Sequence, residues 1–176
     1  IPITITFNEN VTGFQSSDIT AGNGTVGDFS GSGATYTINV TPAEEGTVTV
    51  DVSADVALDA VGYGNTAADQ LSITYDITKP SVEISSTETS PTDYSPIPIT
   101  IMFSEDVTSF ESSDVTVANG ILNDFSGSGT TYTMNITPSD EGEVTVDVAA
   151  DVIQDGAGNG NTVAPQFSIN YDSIGP

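Results

Sequence analysis

Histidine, cysteine and tryptophan are absent from this 176-residue chain, and Lys and Arg together number one, Lys79. Each absence removes a class of function. One basic residue leaves no cationic footprint for phosphates, so nucleic acid is not an expected partner. The same deficit sets the chain against anionic membrane surfaces. Without His there is no Ser-His-Asp triad and no imidazole ligand. Without Cys there is no disulfide framework, thiolate metal site or Cys nucleophile. A lysine-based crosslink in each repeat is excluded, because residues 81–176 hold no Lys. What is present is oxygen: Asp and Glu total 25, for a formal net charge of −24. Carboxylates, amides and backbone carbonyls suit hard cations such as calcium. Acid-rich surfaces also serve solubility alone.

The chain repeats itself. Ile1-Pro-Ile-Thr-Ile-Thr-Phe7 returns as Ile97-Pro-Ile-Thr-Ile-Met-Phe103, an offset of 96 that holds without a gap to Pro80 and Pro176. About 50 of the 80 paired positions are identical, far beyond chance at a fixed period. Two domains follow, 1–80 and 81–176, the first lacking the counterpart of Ser81 to Pro96. No basic leader precedes the alternating Ile1–Phe7 segment. No run reaches the roughly 18 apolar residues of a membrane span. The sequence therefore reads as an interior slice of a longer chain.

Apolar residues recur at period two between clusters of Gly, Pro, Asn and Ser, the pattern of strands. In the second repeat strands are expected near Val82–Ser86, Ile97–Phe103, Val115–Ala118, Ile121–Phe125, Thr131–Thr137, Glu143–Val148 and Gln166–Tyr171. Asn119-Gly120 predicts a type I′ hairpin, and Gly127-Ser-Gly129 a second turn. About seven short strands in 96 residues predict an all-β chain of two tandem immunoglobulin-like β-sandwiches. The first sandwich, without its leading strand, would expose an edge, either open to strand exchange with another copy or covered by a leading segment that lies outside the sequence given.

The segments Phe103-Ser-Glu-Asp-Val107, Asp124-Phe-Ser-Gly-Ser-Gly-Thr130, Gly142-Glu-Val-Thr-Val-Asp-Val148, Asp155-Gly-Ala-Gly-Asn159 and Tyr171-Asp172 resemble tandem bacterial Ig-like repeats. Such repeats occur in large surface adhesins of the biofilm-associated and RTX types. The resemblance covers both repeats. It implies extender modules on the bacterial surface or in secreted proteins, which project an adhesive tip and are often stiffened by calcium between domains. It names no adhesion ligand. Tyr63 stands where the second repeat has Asn159, a departure that puts an amide ligand in doubt for the first.

Sandwich topology places the acids. The loops after the second and sixth strands fall at the pole that faces the preceding repeat. Glu105 and Asp106, then Asp151, Asp155, Asn159 and Asn161, should meet Asp76 of the linker there. Closely packed carboxylates repel, and a divalent cation with six to eight oxygen ligands resolves the repulsion. Equivalent candidates in the first repeat are Glu9, Asp55, Asp59 and Asn65, and Asp172 repeats Asp76. Gly-Asn-Gly-Asn is equally ordinary turn chemistry. Asp51 and Asp147 alternate with inward Val and should face solvent. Asp18 and Asp114, in Ser-Ser-Asp, should hydrogen-bond backbone.

Two other functions compete with a calcium-stiffened extender. A module binding a host glycan or protein would show an aromatic platform, yet only Tyr63 and Tyr94 read as exposed. An enzyme could use paired carboxylates, but the acids gather at domain poles and no cleft is evident, so no catalysis is expected.

Overall fold

A computed structural model describes residues 1–175, which fall into two units, residues 1–76 and the described residues from Ile77 onward. The first holds β1 (Pro2–Val11), β2 (Ile19–Gly22), β3 (Gly24–Pro42), β4 (Gly46–Val52) and β5 (Leu71–Tyr75). The second holds β6 (Val82–Ser86), β7 (Ile97–Thr108), β8 (Val115–Ala118), β9 (Gly120–Pro138), β10 (Gly142–Val148), β11 (Gln154–Asp155) and β12 (Phe167–Tyr171). Among the described residues the only helical pieces are two 3-10 turns, Ser16–Asp18 and Ser112–Asp114. In each, the Asp carboxylate accepts a backbone N–H three residues earlier, from Gln15 and from Glu111, both at 2.8 Å.

In the second unit one sheet runs β12-β10-β8 and the other β11-β7-β6, with β9 also on β7. The 19-residue β9 doubles back on itself. Asn135 Nδ2 donates to Asp124 Oδ2 at 2.9 Å, and Asn123 Nδ2 to Thr137 Oγ1 at 3.2 Å. The reversal falls at Gly127 (φ 144°) and Gly129 (φ 63°), conformations that disfavour a Cβ. This is the two-sheet, Greek-key pattern of an immunoglobulin-like sandwich. Its core is the inward half of each alternation: Ile97, Ile99, Ile101, Tyr132, Met134, Ile136, Val144, Val146, Val148 and Ile169 are all buried. Phe103, Phe110, Tyr132 and Phe125 form an aromatic cluster with centroids 4.9 to 5.9 Å apart along its contacts, edge-on among Phe103, Phe110 and Tyr132 and stacked between Phe125 and Tyr132.

Asn119-Gly120 is not the expected hairpin. Only Asn119 takes left-handed backbone, at φ 55°, and the flanking β8 and β9 lie in different sheets. The Asn side chain instead ties this corner to the next one, donating to Asp140 O and accepting from Asp140 N, each at 3.0 Å. Gly120 is required for space, because a Cβ there would meet the Ile136 side chain.

The segment leading into the second unit closes both sheets. β6 pairs antiparallel with β7, Ile84 opposite Ile101. Further on, Thr92 forms a parallel bridge to Tyr171 of β12. The first unit has β1-β3 and β2-β4-β5 alone, so among the described residues no strand covers the outer edge of β1. Ile1, Ile5 and Phe7 are only partly buried there, whereas their repeat counterparts Ile97, Ile101 and Phe103 are 0–2 % exposed. Ile101→Ala should therefore cost the second unit about 2–5 kcal/mol. Ile5→Ala should cost the first unit clearly less. Denaturant unfolding followed by amide exchange in each unit checks the pair.

Candidate metal centre

The loop between β10 and β12 is built around Asn161, which is fully buried. Its Oδ1 accepts the backbone N–H groups of Val152 (3.0 Å) and Ile153 (3.2 Å). Its Nδ2 donates to the carbonyls of Ala149 and Thr162, both at 2.8 Å. One amide thus satisfies four backbone groups that lie outside the loop's short pairing at Gln154–Asp155. Asn65 repeats the arrangement with Val56, Ala57, Ser53 and Thr66.

Held this way, the loop presents β11 to the far end of β7, with Asp155 opposite Val107. That pairing brings Asp155 towards Glu105 on the same stretch of β7. The Asp155 carboxylate also closes its own turn. Oδ1 accepts the N–H groups of Ala157 (2.8 Å) and Asn159 (2.9 Å), and Oδ2 accepts Asn159 Nδ2 (2.9 Å). Burial pushes this carboxyl up, but the hydrogen bonds from Asn159, Ala157 and Gly158 outweigh it and hold the pKa below the ordinary 3.8. In the first unit Asp59 accepts the N–H groups of Val61 and Tyr63 at 2.8 and 2.9 Å. The Tyr63 hydrogen bond leads in lowering its pKa, against a smaller burial effect. Tyr63 has no amide to offer and is 75 % exposed.

The segment after Asp76 is fastened to the second unit. Pro80 is buried and its carbonyl accepts Thr162 N–H at 2.9 Å. Ser81 and Ser104 exchange two bonds, at 2.9 and 3.0 Å. Lys79 Nζ meets Asp151 Oδ1 at 2.9 Å, both side chains half-exposed. Asp76, directly ahead of this segment, is partly buried. One carboxylate oxygen from each of Asp76, Glu105 and Asp155 lies within 4.8 Å of the others. Three hard anionic donors at that spacing could hold a metal ion. Among the described residues no other group of three acidic side chains is so close.

The remaining candidates are placed elsewhere. Asp151 faces Lys79, an ion pair for which the lone lysine was the only sequence signal. Asp151 (φ 58°) and Asp55 (φ 63°) are both left-handed, each packed against a glycine, Gly160 and Gly64. Asp106 is exposed and lies against Gly129. Burial, and then the charge of Asp106, push the Tyr132 hydroxyl pKa up. Asn161 and Asn65 spend their amides on backbone. Asn159 serves Asp155. Glu9 and Asp172 are exposed, the latter accepting Ile174 N–H at 3.2 Å.

Two outcomes follow from this geometry. Asn161→Leu strands two N–H and two carbonyl groups and should destabilise the second unit by about 3 kcal/mol or more, read by denaturant titration. The Asp59 and Asp155 turns carry depressed pKa values, so their contribution is complete above pH 3.8 and is lost as pH falls through the lower folded values. Amide exchange at Val61, Tyr63, Ala157 and Asn159 should quicken in that acid window, ahead of the strand amides.

No curated protein matches the chain. The bacterial Ig-like domain family matches it twice in succession, over residues 1–75 and 76–171, and the second match opens on Asp76. Fold, repeat and the near-complete span of both matches agree: the chain belongs to the bacterial Ig-like domain family, as two tandem members.

Proposed function

We propose that this chain is a structural extender of a bacterial surface adhesin, in which calcium fixes the passage from one repeat into the next. The observation that supports it is the gathering of Asp76, Glu105 and Asp155 within 4.8 Å. Asp76 directly follows β5, the last strand of the first repeat, while Glu105 and Asp155 are held by the β7–β11 pairing. A cation on these oxygens would remove rotational freedom at the point where the chain changes repeat. Without it, like charges at close range favour separation. The high negative charge discourages lateral association of identical repeats. The role is architectural rather than catalytic, and its setting is the cell surface or the extracellular medium. Recognition of a glycan by these repeats has little aromatic surface to use: four aromatic side chains per unit are drawn into the two internal clusters.

Calorimetric titration with calcium should show saturable binding, weakened about tenfold or more by Glu105→Gln, which keeps shape and removes charge. Absence of binding, or an unchanged affinity in that variant, overturns the assignment. Small-angle scattering should show a longer maximum dimension with calcium than with chelator, and the melting temperature should rise with calcium concentration.

A further inference from the structure

Residues 77–81 lead from Asp76 into β6 and rest on the second unit. Neutral bonds hold their far end. The Pro80 carbonyl accepts Thr162 N–H at 2.9 Å and Thr162 Oγ1 at 3.4 Å. Ser81 N–H donates to Ser104 Oγ at 2.9 Å, and Ser104 N–H returns to the Ser81 carbonyl at 3.0 Å. The ion pair of Lys79 Nζ with Asp151 Oδ1, at 2.9 Å, lies nearer to Asp76. Lys79 is the single Lys or Arg in a chain of 25 acids. The repeat offset of 96 lays Asp76-Ile-Thr-Lys-Pro80 over Asp172-Ser-Ile-Gly-Pro176. Asp and Pro recur at the two ends, but Lys79 falls over Gly175. The cation is therefore particular to this linker rather than part of the repeated pattern.

Asp151 does not owe its place to the lysine. Its backbone is left-handed, with φ 58°, and its N–H donates to the Asn161 carbonyl at 3.0 Å. Its carboxylate packs on Gly160, where a Cβ would collide with it. Asp55 makes the same turn in the first unit, with φ 63°, a 2.9 Å bond to the Asn65 carbonyl and Gly64 beneath it. The turn thus forms from its own residues and presents a fixed carboxylate. Exposed ion pairs are weakened chiefly by the entropy of ordering two long side chains. Here one partner is ordered in advance, and only the lysine stem remains to be fixed. The surrounding acids add attraction that acts over about a Debye length.

We propose that Lys79 is a positioning residue: its ammonium, on Asp151, seats residues 77–81 on the second unit without any bound metal. The lysine supplies the positive charge that the linker needs against an acidic loop. The segment that follows Asp76 is then docked before a divalent cation is available. Only the use of Asp76 as a cation ligand rests on the function proposed above; the seating itself does not.

The test is amide exchange at Ser81, Ser104 and Thr162, whose N–H groups report the seat, in the intact chain with chelator present. Lys79→Gln keeps much of the stem and removes the charge. It should speed exchange at these three amides about two- to fivefold, the scale of an exposed ion pair, and leave the amides of β10 and β12 unchanged. The effect should vanish near 1 M salt, where the Debye length is about 3 Å. Lys79→Arg should restore the parent rates. Asp151→Asn should speed exchange by the same factor, and adding Lys79→Gln to it should have no further effect. Unchanged exchange in Lys79→Gln, an effect that survives high salt, failure of Lys79→Arg to restore protection, or full additivity of the two substitutions overturns the proposal. Calcium titrated into the parent chain keeps the two readings apart: absence of binding overturns the proposed function, while the chelator experiment alone decides the seat.

Discussion

Backbone pairing on both edges of one strand, β7, is the constraint from which the second unit follows. β9 takes one edge. The other is shared by β6 along residues 99–103 and β11 at Val107 and Thr108. With both edges paired, the inward residues Ile97, Ile99, Ile101 and Phe103 are buried. It also decides where the acids sit, since β11 cannot pair with β7 without bringing Asp155 to the stretch that bears Glu105. β1 has almost the same side chains and one edge partner, and its core is correspondingly open. The difference between the two units follows from the leading segment, present as residues 81–96 in the second repeat and without a counterpart in the first as given.

The acidic residues divide by what their oxygens already do. Asp18 and Asp114 close the 3-10 turns. Asp28 and Asp124 receive asparagine amides across a hairpin, and Asp51 and Asp147 receive glutamine amides from Gln70 and Gln166. Asp155 combines a turn-closing role with proximity to two further carboxylates. Its hydrogen bonds fix its orientation and favour its ionised form, the preorganisation that a hard-cation ligand requires. A carboxylate organised in this way would not need to move to meet a cation. The amide of Asn161 supports it from deeper in the unit, holding the loop rather than facing the solvent.

Much of the fold was legible because period-two alternation and turn residues report directly on which side of a strand is dry. The strands Val82–Ser86 and Val115–Ala118 match their expected limits for this reason. β11 was invisible, since a two-residue strand is made by backbone bonds and has no periodicity to read. The Asn119-Gly120 corner was misread because the dipeptide favours positive φ in isolation, whereas its Gly answers a steric demand from Ile136 on another strand segment. At the site, residue type pointed to oxygen chemistry. It could not separate Asp151, drawn to Lys79, from Asp155, nor foresee that Asn161 would be consumed by four backbone groups. Those distinctions depend on loop closure, which brings together residues separated by tens of positions.

The bridge between Thr92 and Tyr171 is parallel, while the strand ladders of the second unit are antiparallel. Its two bonds, Thr92 N–H to Asn170 O and Asp172 N–H to Thr92 O, are each 2.9 Å long. The two segments it joins are the stretch between β6 and β7 and the last strand of the unit. Tension applied through the chain at both ends would therefore pull them past one another in shear, loading both bonds at once. An antiparallel terminal pair would peel open bond by bond. The direction of one short bridge would thus bear on how the last strand yields to mechanical load.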